Sequence, residues 1–198
     1  MTAYFTVRGI QGHSAYPHRA KNPLPVMAEL ICDLTSFELD QGSEHFDPST
    51  LAVTTIDTGN LANNVIPAEC RATVNIRFND MHTSEELSVW LKEVTNKIAF
   101  KSDVEINMEI QVSGESFITA LGSFSDLVSN SVYSETGIYP QASTSGGTSD
   151  ARFVKDHCPV VEFGLVGKTM HQVDERVSVN HIHQLKAIYA NIIKNYFA

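Results

Sequence analysis

Phe5 and Val7 alternate with polar neighbours, which predicts a strand, and Gly9, Gly12 and Pro17 then break the pattern. Asn22 followed by Pro23 offers an N-cap with proline at the first helical position, and Met27, Leu30, Ile31 and Leu34 recur behind it at helical spacing. Residues 40–48 are polar and read as a loop. Residues 51–56 predict a second strand, and Cys70, Ala72, Val74, Ile76 and Phe78 alternate with polar residues over a longer third one. Thr83-x-x-Glu86 is a capping box, and the stripe Leu87, Trp90, Leu91, Val94 and Ile98 makes the helix behind it amphipathic. Val104, Ile106, Met108, Ile110 and Val112 alternate strictly and predict a fourth strand ending at Ser113-Gly114.

The order β-α-β-β-α-β is that of a ferredoxin-like sandwich, an α+β unit in which two helices cover one face of an antiparallel sheet. Alternation sends Glu69, Arg71, Thr73, Asn75 and Arg77, with Glu105, Asn107, Glu109 and Gln111, to the other, open face. After Gly114 the pattern changes. A helix is expected around Phe124, Leu127 and Val128, then a glycine-rich turn at Ser145-Gly146-Gly147. The apolar run at 160–165 predicts a strand of a parallel α/β sheet, and a closing helix follows through Leu185, Ile188, Tyr189, Ile192 and Ile193. Two domains are therefore expected, 1–114 and 115–198, the second with too few strands to bury a sheet of its own.

Composition narrows the function. Hydrophobic residues make up 42% of the 198 and charged residues 19%, as in an ordinary globular protein. Fourteen basic residues against 23 acidic ones, with no basic cluster, exclude a phosphate-backbone footprint, so no nucleic-acid partner is expected. Cys32, Cys70 and Cys158 are odd in number and far apart, which suits a reducing cytoplasm. No signal pattern and no membrane-spanning run occurs, so neither export nor a membrane partner is expected. The strand pattern starts almost at Met1, as at a cut domain boundary, and predicts a truncated chain.

Candidate chemistry lies at four places. His13 stands in Gly12-His13-Ser14-Ala15-Tyr16-Pro17-His18, a loop fixed by short residues and proline, which serves function and local packing equally well. Asn63-Asn64-Val65-Ile66-Pro67 joins two strands, as a simple turn or as paired amides for a polar ligand. Gly146-Gly147-Thr148-Ser149 precedes Asp150-Ala151-Arg152-Phe153, where backbone N–H groups suit a carboxylate or simply a capped helix start. His171 follows the predicted buried strand, a place where α/β sheets hold ligands, and reads as structural equally well. No zincin, C-x-x-C, nucleophile-elbow, Walker or dinucleotide motif is present.

Taken in order, Gln11-Gly12-His13-Ser14-Ala15-Tyr16-Pro17-His18, Asn63-Asn64-Val65-Ile66-Pro67, Ser145-Gly146-Gly147-Thr148-Ser149-Asp150-Ala151-Arg152-Phe153 and Met170-His171-Gln172-Val173-Asp174-Glu175 resemble the desuccinylase branch of the M20 metallopeptidase family. The resemblance spans essentially the whole chain. It implies a lid domain that mediates homodimerisation, residues 1–114, followed by the C-terminal part of a two-zinc catalytic domain, with cobalt as an alternative metal. The implied reaction is hydrolysis of N-succinyl-LL-2,6-diaminopimelate, a dicarboxylate and diamino-acid substrate, on the route to lysine and diaminopimelate. By the same resemblance His171 is a metal ligand, and His13, supplied by the opposing subunit, stabilises the oxyanion. Tyr16, Asn63, Asn64, Arg77, Gly147 and Thr148 contact substrate, Arg77 as a carboxylate partner through its planar fork.

Two departures from the family pattern are mild: Asp174 stands where Asn is usual, and Ala151 where Gly is usual. A larger one is that the other zinc ligands, the bridging carboxylate and the water-activating Glu belong to motifs upstream of the lid. Two-metal hydrolysis requires both ions and a base, so the chain is expected to be inactive until a missing N-terminal half is supplied. The alternatives are a non-catalytic dimerisation or dicarboxylate-binding module, and a fragment of an acetylornithine-type deacylase.

Overall fold

The computed structural model describes residues 1–145 and 149–198. The chain divides into two compact units, Met1–Ser116 and Phe117–Ala198.

The first unit contains β1 (Thr2–Arg8), β2 (Gly12–His13), a 3-10 turn at Pro17–Arg19, α1 (Pro23–Ser36), β3 (Thr50–Asp57), β4 (Val65–Ile66), β5 (Glu69–Arg77), α2 (Ser84–Ser102) and β6 (Glu105–Gln111). Four strands form an antiparallel sheet in the order β3-β5-β1-β6, the ferredoxin-like arrangement, while β2 and β4 form a separate two-stranded sheet. Local chemistry starts each helix. The Asn22 side chain accepts from the Leu24 N–H at 3.1 Å ahead of Pro23. Thr83 and Glu86 form the reciprocal capping box, Glu86 N–H to Thr83 Oγ1 at 3.2 Å and Thr83 N–H to Glu86 Oε2 at 2.9 Å.

Period two on the strands and period 3.6 on the helices meet in one core. Ala3, Phe5 and Val7 of β1 and Cys70, Ala72, Val74 and Ile76 of β5 face Met27, Leu30 and Leu34 of α1 and Leu87, Leu91 and Ile98 of α2. Burying each large apolar side chain contributes about 1.5–3 kcal/mol. The opposite sheet face is polar and joined by its own hydrogen bonds, Tyr4 to Gln111, Asn75 to Thr2, Thr55 to Thr73 and Arg71 to Glu69.

The loop between α1 and β3 is held by Asp40, whose carboxylate is 2% exposed. It accepts from the Gly42 N–H at 2.7 Å, the Ser49 N–H at 3.1 Å and Asn79 Nδ2 at 2.7 Å, and pairs with His82 Nε2 at 3.1 Å. Burial pushes the carboxyl pKa up, but the hydrogen bonds from Ser49, Gly42 and Asn79 outweigh it and hold it at about 2.

The second unit contains α3 (Ser123–Thr136), α4 (Ala151–Val154) and α5 (Val179–Tyr196). Its core is Val128 and Val132 of α3 against Ile188 of α5, with Phe124, Phe163 and Ile192 packed beside them. Asn191 Nδ2 donates to Ser134 Oγ at 2.7 Å, and the Tyr189 hydroxyl to the Phe163 carbonyl. The expected strand at 160–165 is not formed: these residues carry no strand pairing. An apolar run becomes a strand only when a neighbouring strand satisfies its N–H and C=O groups, and no strand lies in the described part of this unit.

Candidate functional site

In the first unit the short β2–β4 ladder gathers part of the expected site. Gly12 pairs with Ile66 and His13 with Val65, and the Ser14 N–H donates to the Asn64 carbonyl at 2.9 Å. The turn Asn63-Asn64 is thereby drawn beside His13, although some fifty positions separate them in sequence. Gly12 is required here, since a Cβ would lie 2.8 Å from the Ala20 Cβ. Behind His13 the chain coils through Tyr16 N–H to His13 O at 2.9 Å and Arg19 N–H to Tyr16 O at 3.0 Å. The Tyr16 ring meets the His13 ring edge-on at 5.8 Å, and the Arg19 guanidinium lies over Tyr16 at 5.2 Å.

One contact decides what His13 can do. The Ala15 N–H donates to His13 Nδ1 at 3.1 Å. A ring nitrogen that accepts carries no proton, so in the neutral imidazole the proton is on Nε2. His13 is exposed and thus offers an outward N–H donor, the group needed by a developing negative charge.

Arg77 does not join this cluster within one chain. It closes β5, while β4 and the Asn63-Asn64 turn precede the start of that strand, which at ~3.3 Å per residue leaves roughly 25 Å between them. Arg77 is exposed on the polar sheet face, and it lies near enough to the Met1 ammonium to reinforce the lowering of its pKa that burial begins.

In the second unit His171 stands on an exposed loop with φ of +60°, and Asp174 shares that left-handed conformation. Asn and Gly adopt it with least strain, and Asp tolerates it. Gly147 and Thr148 lie outside the described residues. Next to them, Ser149 Oγ accepts from the Ala151 N–H at 3.1 Å and its carbonyl from Arg152 Nη1 at 2.8 Å.

Among the described residues no three His, Cys, Asp or Glu side chains gather into a metal-holding group. A zinc ion takes about four donors, so the described residues by themselves do not fit a zinc pair. Also among the described residues, no helix is long and apolar enough to cross a membrane.

Not anticipated from the sequence are Arg19 over Tyr16, the Asn60 side chain that supports the Asn63-Asn64 turn by donating to Val65 O at 2.9 Å, and the Thr169 hydroxyl on the Arg176 backbone. Thr58-Gly59-Asn60 carried a turn signal that pointed to Asn60. For the others no sequence signal exists.

Residues 1–103 match the M20 family model described as a peptidase dimerisation domain, and the chain belongs to this family. The relatives it resembles in detail are succinyl-diaminopimelate desuccinylases, that of Ruegeria pomeroyi being 65% identical over 198 residues and that of Roseobacter denitrificans 60%. In both cases the match covers 100% of this chain and 52% of the relative, so the chain spans about half the length of the curated relatives it matches. A tripeptidase from Staphylococcus aureus has the same fold, with a TM-score of 0.74 at 20% identity, over 98% of this chain and 50% of that one.

Proposed function

We propose that this chain is the C-terminal portion of a homodimeric, zinc-dependent amide hydrolase of the cytoplasm that cleaves N-succinyl-LL-2,6-diaminopimelate to succinate and LL-2,6-diaminopimelate. The first unit acts as lid and dimerisation domain, and the second completes a catalytic domain whose remaining half comes from the part of the relatives that this chain does not match. The observation that carries the reading is 65% identity to a desuccinylase over all 198 residues. The site geometry supports it through the outward Nε2–H of His13.

In this reading His13 of one subunit donates from Nε2 to the oxyanion formed at the substrate amide of the other. Asn63, Asn64 and Tyr16, gathered around the β2–β4 ladder, orient the polar substrate, and Arg77 pairs bidentately with a carboxylate. Because Arg77 and His13 sit at opposite ends of one lid, they serve two different substrate molecules, or one molecule through two copies of the chain. Gly147 and Thr148 cradle a second anionic group. Of the donors for the zinc pair this chain contributes His171, and the remaining donors and the base come from the unmatched half.

His13→Ala and His171→Ala in the chain combined with that half test the assignment. Losing one oxyanion donor lowers kcat by about 10²–10³, so His13→Ala is expected to fall by that factor with zinc content unchanged, and His171→Ala to lose both turnover and zinc. Parental turnover in both variants contradicts the reading. It would favour a non-catalytic dimerisation or dicarboxylate-binding module, for which the open polar sheet face speaks. Comparison with acetylornithine as substrate separates the desuccinylase from its deacylase relatives.

A further inference from the structure

Residues 167–176 hold a conformation that needs an explanation. His171 and Asp174 both lie at φ +60°, a region costly for most L side chains and less so for Asp and His, in which a residue is held by the contacts around it. Packing does not impose it here, since residues 170–180 are exposed. The backbone bonds of the loop, Met170 N–H to Gly167 O at 3.1 Å and Gln172 N–H to Thr169 O at 3.0 Å, tighten single turns and leave its two ends unjoined.

Thr169 joins them. Its Oγ1 accepts from the Arg176 N–H at 3.0 Å and donates to the Arg176 carbonyl at 3.0 Å. One hydroxyl thus satisfies both backbone groups of a residue seven positions away, as a partner residue does in an antiparallel pair. Thr169 is itself half-buried, whereas the residues that follow it are exposed. Arg176 carries the bracing further, its Nη1 donating to the Asp174 carbonyl at 3.2 Å across the second left-handed residue.

We propose that Thr169 is a positioning residue: by closing this loop on Arg176 it fixes the left-handed backbone of His171 and with it the direction in which the imidazole leaves the chain. The proposal rests on the assignment of His171 to the catalytic centre and adds a residue that touches neither substrate nor metal. A left-handed residue aims its Cβ differently from an extended one, so release of the clamp redirects the imidazole without removing it.

Thr169→Val keeps the shape and removes the hydroxyl, and Thr169→Ser keeps the hydroxyl. In the 198-residue chain, amide hydrogen exchange at Arg176 is expected to speed up by about tenfold in Thr169→Val, the scale of one net hydrogen bond, and to stay near the parental rate in Thr169→Ser. With the complementary half supplied, Thr169→Val is expected to lower kcat by about 10–100-fold with KM little changed, the scale of a group misplaced by about 1 Å, and Thr169→Ser to recover most of it. Unchanged Arg176 exchange in Thr169→Val overturns the clamp. Parental kcat in Thr169→Val beside an inactive His171→Ala overturns its positioning role alone, whereas parental kcat in His171→Ala overturns the assignment of His171 and the positioning role with it.

Discussion

In residues 1–116 the apolar positions of two helices and four strands close around Phe5, Leu30, Val74 and Leu91, each at most 1% exposed. In residues 117–198 the buried apolar residues among those described are Val128, Val132 and Ile188, while Leu121, Ile138, Phe153, Val166, Val173 and Ile193 are all more than half exposed. Both stretches are patterned at the sequence level. They differ in whether the elements present supply two layers: a sheet under two helices buries both apolar faces, whereas α3 against α5 leaves most of the unit's apolar surface without a second layer. Patterning sets which face seeks burial, and the complement of elements decides whether it succeeds.

The largest test of that contrast is to separate the units. Residues 1–116 alone are expected to melt in one cooperative transition, and residues 117–198 alone to show a broad, non-cooperative one by circular dichroism. A sharp transition in the second fragment would show instead that α3 and α5 close a core of their own. Next in size, Phe5→Ala is expected to cost about 3–5 kcal/mol of unfolding free energy in urea, and Ile188→Ala to leave the main transition nearly unchanged.

The first unit also gains pH-dependent stability from Asp40. Its folded pKa of about 2 lies below the ordinary 3.8, so the unfolded chain binds the proton more tightly than the folded one. The carboxylate therefore contributes about 2 kcal/mol above roughly pH 5, and this is lost as pH falls through 4 towards 2. Urea titrations at pH 7 and pH 3 are expected to differ accordingly, and Asp40→Asn to flatten the difference. Smallest is the capping box: Thr83→Ala is expected to cost about 1 kcal/mol, read as a lowered urea midpoint with unchanged slope.

What the sequence revealed follows the range of the interactions. The β-α-β-β-α-β order, the Asn22 N-cap and the Thr83–Glu86 box were legible because periodicity and capping are local. The two-residue strands at Gly12–His13 and Val65–Ile66 were not, being too short to show a period. Residues 160–165 read as a strand because their apolar character is local, while the neighbouring strand they require is not. At the site, His13 and Tyr16 were legible as one loop. The approach of Asn64 to Ser14, the distance of Arg77 from both, and the choice of Arg176 as the partner of Thr169 depend on how the chain returns on itself, which residue types do not specify.

In the proposed reading these 198 residues provide a lid and one metal donor, His171, of a larger hydrolytic centre. That reading is tested most directly by measuring succinate release from N-succinyl-LL-2,6-diaminopimelate in the presence of zinc, by the chain alone and after mixing with the half of its relatives that it does not match. No release above buffer is expected from the chain alone, and turnover is expected on mixing. Turnover by the chain alone, with two zinc ions bound per protomer, would contradict the reading.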